Sequence, residues 1–255
     1  PHHNGTTLAF ASILYPFQVY GDLGGYSLIA IGAARCMGIK IIPNFNRPFF
    51  ATSMAEFWRR WHMSLIQWLT DYIYTPLSFV LRKWKIWGIV AALMLTFFIS
   101  GIWHGAAMTF VVWGLVQGVY LSIEALINPY RTAFENRFHL KKNPLYILIC
   151  CVIIFVLFAF SQIFANCTTL QDFLTVFIKL VTQKGHLFMD ASSLFMGGLS
   201  LFIMFIKDLK DEFNWHIHFM NSDSKVVRYM SVVGLIVYVM LFGVLDGGQF
   251  IYFQF

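Results

Sequence analysis

The sequence predicts an all-α, polytopic transmembrane protein built around a histidine-bearing hairpin or re-entrant segment, with amphipathic helices at the membrane surface. Three observations predict it. First, 58% of the 255 residues are hydrophobic and 12% are charged, about half the ~25% charged share of soluble domains, and mean hydropathy is +0.67. Second, the apolar residues fall in runs of about twenty, the length that crosses a ~30 Å hydrocarbon core. Third, from Ile86 to Ile123 the one acidic or basic side chain is His104, in Gly101-Ile102-Trp103-His104-Gly105. At ~1.5 Å per residue that stretch is two crossings long, which puts the histidine at a break between two apolar helices. The flanking glycines let the chain turn there without a Cβ penalty. An ionisable group at membrane depth is costly and points to function; the alternative is a hairpin-tip histidine that meets interfacial water.

The aromatic content, 28 Phe, 11 Tyr and 8 Trp, suits lipid-facing surfaces and interfacial belts. The net charge of +6 comes from residues in loops between apolar runs, which favours a membrane over nucleic acid as the partner. Cys36, Cys150, Cys151 and Cys167 show no zinc or redox spacing and read as small buried residues or lipidation sites. No basic segment precedes the first apolar run, so no signal peptide is expected. A chain that starts at Pro1 suggests a fragment or a processed product.

Taken in order, residues 8–36 are apolar but interrupted by Tyr20-Gly21-Asp22-Leu23-Gly24-Gly25-Tyr26. Three glycines and an aspartate predict a broken or kinked span, with Asp22 turned inward to the freed backbone groups. Pro43-Asn44-Phe45-Asn46-Arg47-Pro48 predicts a loop. Ser53 with Glu56 reads as a capping box that opens a helix over 54–69. Phe57, Trp58, Trp61, Leu65 and Trp68 share one face of it, and Arg59, Arg60 and Gln67 lie away from that face. Such a helix is too short and too charged to span and belongs at the interface. Its His62 borders the apolar face. Arg82-Lys83-Trp84-Lys85 precedes the hairpin as a basic clamp. After the hairpin come a polar loop at 128–143 and a span at 145–164. A short amphipathic helix at 170–181 and a span at 191–206 follow, then a polar stretch at 207–228 and a last span at 229–245.

Basic residues set the orientation. With residues 1–7 outside, 16 of the 18 Lys and Arg fall inside, and Lys179 and Lys184 fall outside. That bias supports the arrangement and places the C-terminal tail outside.

Phe57-Trp58-Arg59-Arg60-Trp61-His62-Met63-Ser64-Leu65, then Trp68 and Asp71-Tyr72-Ile73-Tyr74-Thr75-Pro76-Leu77, resemble the membrane-bound O-acyltransferase family. The resemblance is to the branch of alginate O-acetylation and teichoic-acid D-alanyl transfer proteins. Residues 17–32, Asn44-Phe45 with Pro48, Trp103-His104-Gly105 with Thr109-Phe110 and Trp113-Gly114, and the tail Phe250–Phe255 match further family segments in order. The pattern is departed from at Leu28, Ile66, Ser78-Phe79, Met108 and Gln117, where the family commonly has Asp, Ser, Gly-Gly, Trp and His; these positions bear on the subfamily. Family members carry further spans ahead of the first motif, so the resemblance implies one membrane-embedded domain over 1–255 whose N-terminal part is missing.

The resemblance implies acyl transfer from a thioester donor, acetyl-coenzyme A or an acyl carrier protein, to hydroxyls of an extracytoplasmic polysaccharide in a multi-pass protein of the bacterial plasma membrane. No bound cofactor, no metal and no nucleic acid are expected. Partners would be the donor, membrane lipid, and the glycan or an acetyltransferase- or esterase-like protein. His104 is the candidate general base, and His62 orients or lines the donor path, or else satisfies a backbone carbonyl at the interface. Candidate substrate-contacting residues are Asn44, Trp58, Arg59, Arg60, Trp61, Asp71, Tyr72 and Trp103. For Arg59 and Arg60, a donor phosphate competes with lipid headgroups. Trp58, Trp61 and Trp68 also read as packing residues, Asp71 as the cap or partner of an Arg, and Asn44 as a partner of the broken first segment. The alternatives are a lipid acyltransferase of the same family and a transporter component whose central histidine relays protons.

Overall fold

The computed structural model describes residues 3–215, 219–220 and 222–243. Among them there are ten α-helices and no strand. The expected tail motif at 250–255 lies outside the described residues. The chain forms two compact units, Pro1–Phe188 and Met189–Phe255.

Helix α1 runs unbroken from Gly5 to Cys36 over 32 residues, capped by Asn4. The expected break at Tyr20–Tyr26 does not form. Glycine weakens a helix by ~1 kcal/mol relative to alanine, but packing overrides that here. Tyr20, Leu23, Ser27 and Ile31 recur at helical spacing and are buried. The Tyr20 ring sits 5.2 Å from Phe45 and 5.4 Å from Phe49. Asp22 is half-buried on this intact helix and has no break to repair.

The expected helix over 54–69 is two helices, α2 (Met54–Arg60) and α3 (Met63–Leu69), with Trp61 and His62 between them. Phe57, Trp58, Trp61 and Leu65 are buried as expected, while Trp68 is 48% exposed. The split rotates α3 out of register with α2, so one face no longer runs through all five residues. The Ser53–Glu56 box is half made. Ser53 Oγ accepts from the Glu56 amide at 3.1 Å, but the Glu56 carboxylate accepts from the Thr52 amide at 2.9 Å and not from Ser53. A π-helical turn over Thr70–Tyr74 leads into α4 (Thr75–Val80), and a 3₁₀ turn over Leu81–Trp84 leads to the hairpin.

The hairpin is α5 (Ile86–His104) and α6 (Met108–Arg137), joined by Gly105–Ala107. The two helices meet through glycine. A Cβ on Gly101 would come 2.5 Å from the Phe110 carbonyl oxygen, and one on Gly114 would overlap the Phe97 carbonyl. Gly114 and Gly118 are four apart on α6 and both face α5, the small-residue spacing that lets helices in lipid touch backbone to backbone. Helix α6 passes through Pro129 to Arg137, well into the expected loop at 128–143. Contacts made beyond the proline hold it there. Arg131 pairs with Glu135 at 2.7 Å, and the Tyr146 hydroxyl donates to Glu135 at 2.8 Å.

Helix α7 (Pro144–Ala165) matches the expected span, with Asn143 accepting from the amides of Leu145 and Tyr146. Helix α8 (Leu170–Thr182) matches the expected amphipathic helix and opens on a Thr169–Asp172 capping box. The second unit holds α9 (Ala191–Glu212), longer than the 191–206 expected, and α10 (Lys225–Phe242). The Ser200 and Tyr238 hydroxyls join them at 2.5 Å. The expected span at 229–245 is described through Gly243. Among the described residues, four helices are long and apolar enough to cross a membrane: α5, α6, α7 and α9. Helix α1 has the length, but Gln18, Asp22 and five glycines dilute it, and it is not among the four.

Candidate active site

The site grows from the break between α2 and α3. His62 stands there with φ 44° and ψ 52°, in the left-handed region, which costs an L-residue roughly 1–2 kcal/mol. A helix that starts in the middle of another leaves free amides that need acceptors. His62 supplies none; Asn44 does. Its carbonyl accepts from the Met63 amide at 2.9 Å, and its Oδ1 accepts from the Ser64 amide at 3.2 Å and the Ser64 hydroxyl at 2.6 Å. Its Nδ2 donates to Ser27 Oγ on α1 at 3.0 Å. Two residues on, the Asn46 amide donates to the Arg60 carbonyl at 2.9 Å, which closes the end of α2. The 44–46 strap therefore satisfies both sides of the break and frees the His62 side chain from capping. Its Nδ1 is buried and has no hydrogen-bond partner among the described residues. Burial pushes the imidazole pKa below its ordinary value.

His104 ends α5 at the hairpin turn. Gly105 is extended, φ 169°, so it is not needed for the turn itself. It is needed for space: a Cβ there would lie 2.6 Å from the Phe110 ring. Aromatic rings wall the imidazole, with Trp103 and Trp113 edge-on at 4.9 Å each and Phe110 roughly parallel at 6.5 Å. Trp103 also lies 6.3 Å from the His62 ring. The fold thus brings two imidazoles from distant segments to one indole, which is half exposed.

Behind them lies a buried polar chain. Trp58 Nε1 donates to Gln117 Oε1 at 3.3 Å, Gln117 Nε2 to Ser161 Oγ at 2.6 Å, and Ser161 to the Phe158 carbonyl at 2.6 Å. It ties α2, α6 and α7 together. Phe57 and Trp61 pack on Phe158 at 4.3 and 4.8 Å. Glu124 of α6 accepts from the Met54 and Ala55 amides at the start of α2, and Arg131 donates to the Thr52 carbonyl at 2.9 Å.

The other candidate residues divide. Trp58 and Trp61 are buried in this framework, and Asn44 is the strap. Arg60 pairs with Glu56 at 2.8 Å and donates to the Arg47 carbonyl at 3.3 Å, so it braces α2. Burial raises the Glu56 pKa, but bonds from Thr52 and the Arg60 charge outweigh it and hold the carboxyl below its ordinary value. Arg59 is exposed. Asp71 and Tyr72 are exposed on the π-helical turn. Asp71 makes no ion pair among the described residues; Tyr72 lies 5.5 Å from Trp68. Sequence reasoning missed Thr109, Trp113, Glu124, Arg131 and Ser161 as site-building residues and read Gln117 only as a departure. The signal available was a neutral amide inside an apolar span, where a polar group needs a partner.

Helices long enough to span, with one histidine at the end of a hairpin and another at a capped break beside it, define a polytopic membrane protein with a walled imidazole centre. The profile of the MBOAT, membrane-bound O-acyltransferase family, matches residues 3–176, and the chain belongs to that family. It is 42% identical over 113 residues to a probable alginate O-acetylase AlgI of Pseudomonas aeruginosa, covering 44% of this chain and 21% of the relative. It is 35% identical over 196 residues to a peptidoglycan O-acetyltransferase of Helicobacter pylori, covering 73% and 36%. It is 33% identical over 138 residues to a teichoic acid D-alanyltransferase of Streptococcus thermophilus, covering 52% and 33%. The chain thus spans between a fifth and just over a third of these relatives' lengths.

Proposed function

We propose that the chain carries the acyl-transfer centre of a membrane O-acyltransferase. In this reading it moves an acyl group, acetyl foremost, from a cytoplasmic thioester on coenzyme A or a carrier protein. The acceptors are hydroxyls of an extracytoplasmic polysaccharide, reached directly or through a partner protein, in the bacterial plasma membrane. A hydroxyl attacks slowly until a base takes its proton, and a neutral imidazole is suited to that task. The carrying observation is His104: a basic side chain at the turn of an apolar hairpin, walled by three aromatic rings. Such walls also keep water from the thioester. His62, freed from capping by Asn44, faces the same indole and orients the donor. Of the two arginines, exposed Arg59 is the one available to a donor phosphate, because Arg60 is engaged by Glu56. The acetyl acceptors named for the alginate and peptidoglycan relatives support the polysaccharide assignment.

The test uses the full-length protein in cells that make a surface polysaccharide. His104→Ala is expected to lower O-acyl ester content of the glycan by ~10²–10⁴-fold at unchanged membrane abundance. Wild-type acylation in that variant refutes the base assignment. His62→Ala is expected to show a smaller, clear loss. Acyl analysis of extracted lipid beside extracted glycan separates lipid from polysaccharide acceptors.

A further inference from the structure

Four buried side-chain polar atoms have no hydrogen-bond partner among the described residues: His62 Nδ1, Thr109 Oγ1, Trp113 Nε1 and Ser122 Oγ. Buried polar groups are nearly always paired, so each orphan asks for an explanation. Three of the four gather at the histidine site. Trp113 is 5% exposed and its ring is edge-on to His104 at 4.9 Å. Thr109 is fully buried one helical turn before it. Both lie on the opening turns of α6, whose N-cap, Ala107, has no side chain to offer the first amides. The start of a 30-residue helix carries partial positive charge, and its first amides lack an intrahelical acceptor apart from that of Phe110, which donates to the Ala107 carbonyl at 3.0 Å. The Trp113 Nε1–H and the Thr109 hydroxyl are both donors of the kind that suits an oxygen gaining negative charge.

We propose that the Trp113 indole N–H, with the uncapped first turn of α6 that carries Thr109, is the oxyanion-binding element of the acyl-transfer site. The inference rests on the acyltransferase reading above and deepens it. As the acceptor oxygen bonds to the thioester carbonyl carbon, its proton passes to the His104 imidazole. The carbonyl π pair moves onto oxygen, which Trp113 Nε1–H and the α6 amides bind. When the C–S bond breaks, that pair re-forms the carbonyl, and the departing thiolate takes the proton back from the imidazolium. Donors fixed in advance where charge develops act most strongly in such a water-poor setting. They are unpaired in the resting protein because their partner is present only during the reaction.

Trp113→Phe keeps a ring and removes the donor. In the full-length protein it is expected to slow glycan O-acylation about 100-fold, the scale of one lost oxyanion donor, while the smaller ring in a buried site lowers the thermal midpoint of the purified protein by only a few degrees. Thr109→Val is expected to slow acylation roughly 5-fold. Ser122→Ala, an orphan of the same kind further along α6, is expected to leave the rate unchanged. A wild-type rate in Trp113→Phe, or an equal loss in Ser122→Ala, overturns the proposal. So does a Trp113→Phe midpoint that falls to the assay temperature, which assigns the rate loss to unfolding; should that variant fail to insert, a wild-type rate in Thr109→Val overturns it. His104→Ala, run beside these, distinguishes the failures. If it stays active the acyltransferase reading falls; if it is inactive while Trp113→Phe is not, only the oxyanion assignment falls.

Discussion

The two histidines reach the same indole by opposite means. His104 is delivered by regular structure: a long apolar helix ends, and its last side chain is the imidazole. His62 is delivered by an irregularity, a left-handed residue between two seven-residue helices that holds because another segment supplies the missing hydrogen bonds. The hairpin is therefore sensitive to side-chain volume at its glycine contacts, and the break is sensitive to polar pairing. Substitutions that add bulk and substitutions that delete acceptors should separate the two regions.

The largest expected effect is on the hairpin. Gly114→Leu forces a side chain into the Phe97 carbonyl and should destabilise the protein by about 3 kcal/mol, read as a lowered thermal midpoint in detergent. A neutral result would mean that α5 and α6 are not held by close backbone contact. Next is Asn44→Ala, which removes the side-chain acceptor of Ser64 and the donor to Ser27 and should cost about 2 kcal/mol, with weaker acylation because His62 loses its footing. Smaller again is His62→Gly. It relieves the left-handed strain, so stability should rise by about 1 kcal/mol while acylation falls. Opposite signs in one variant would show that the side chain there serves chemistry and the backbone tolerates it. The smallest effect is in pH. Burial lowers the His62 pKa from the ordinary 6.5, so the unfolded chain binds the proton more readily. Stability from this group is intact above pH 6.5 and declines as acid titrates it. His62→Gln should flatten that decline, and an unchanged slope would assign it to other groups.

The same contrast governs what the sequence discloses. The α5–α6 hairpin, α7 and α8 were legible because hydrophobic period and caps report local structure. The α2–α3 break was not, since 54–69 has unbroken helical periodicity and the break depends on Asn44, ten or more residues away. The glycine-rich centre of α1 misled in the other direction: propensity argued for a break, and burial of Tyr20 against Phe45 and Phe49 kept the helix whole. His104 and His62 could be picked out as rare ionisable groups and by resemblance. The polar chain through Gln117 and Ser161 could not, because neutral polar residues in a span say nothing of their partners until the helices are packed.

Asn44 precedes the helix it completes, and this order matters during synthesis. A nascent chain leaves the ribosome N-terminus first, so the acceptors for Met63 and Ser64 emerge before the amides that use them. The kink around His62 can thus be fastened as soon as it appears, without waiting for α6 or α7. A circular permutant that moved the 44–46 strap behind α3 would keep every contact yet lose that timing, and slower maturation with unchanged final activity would be its signature.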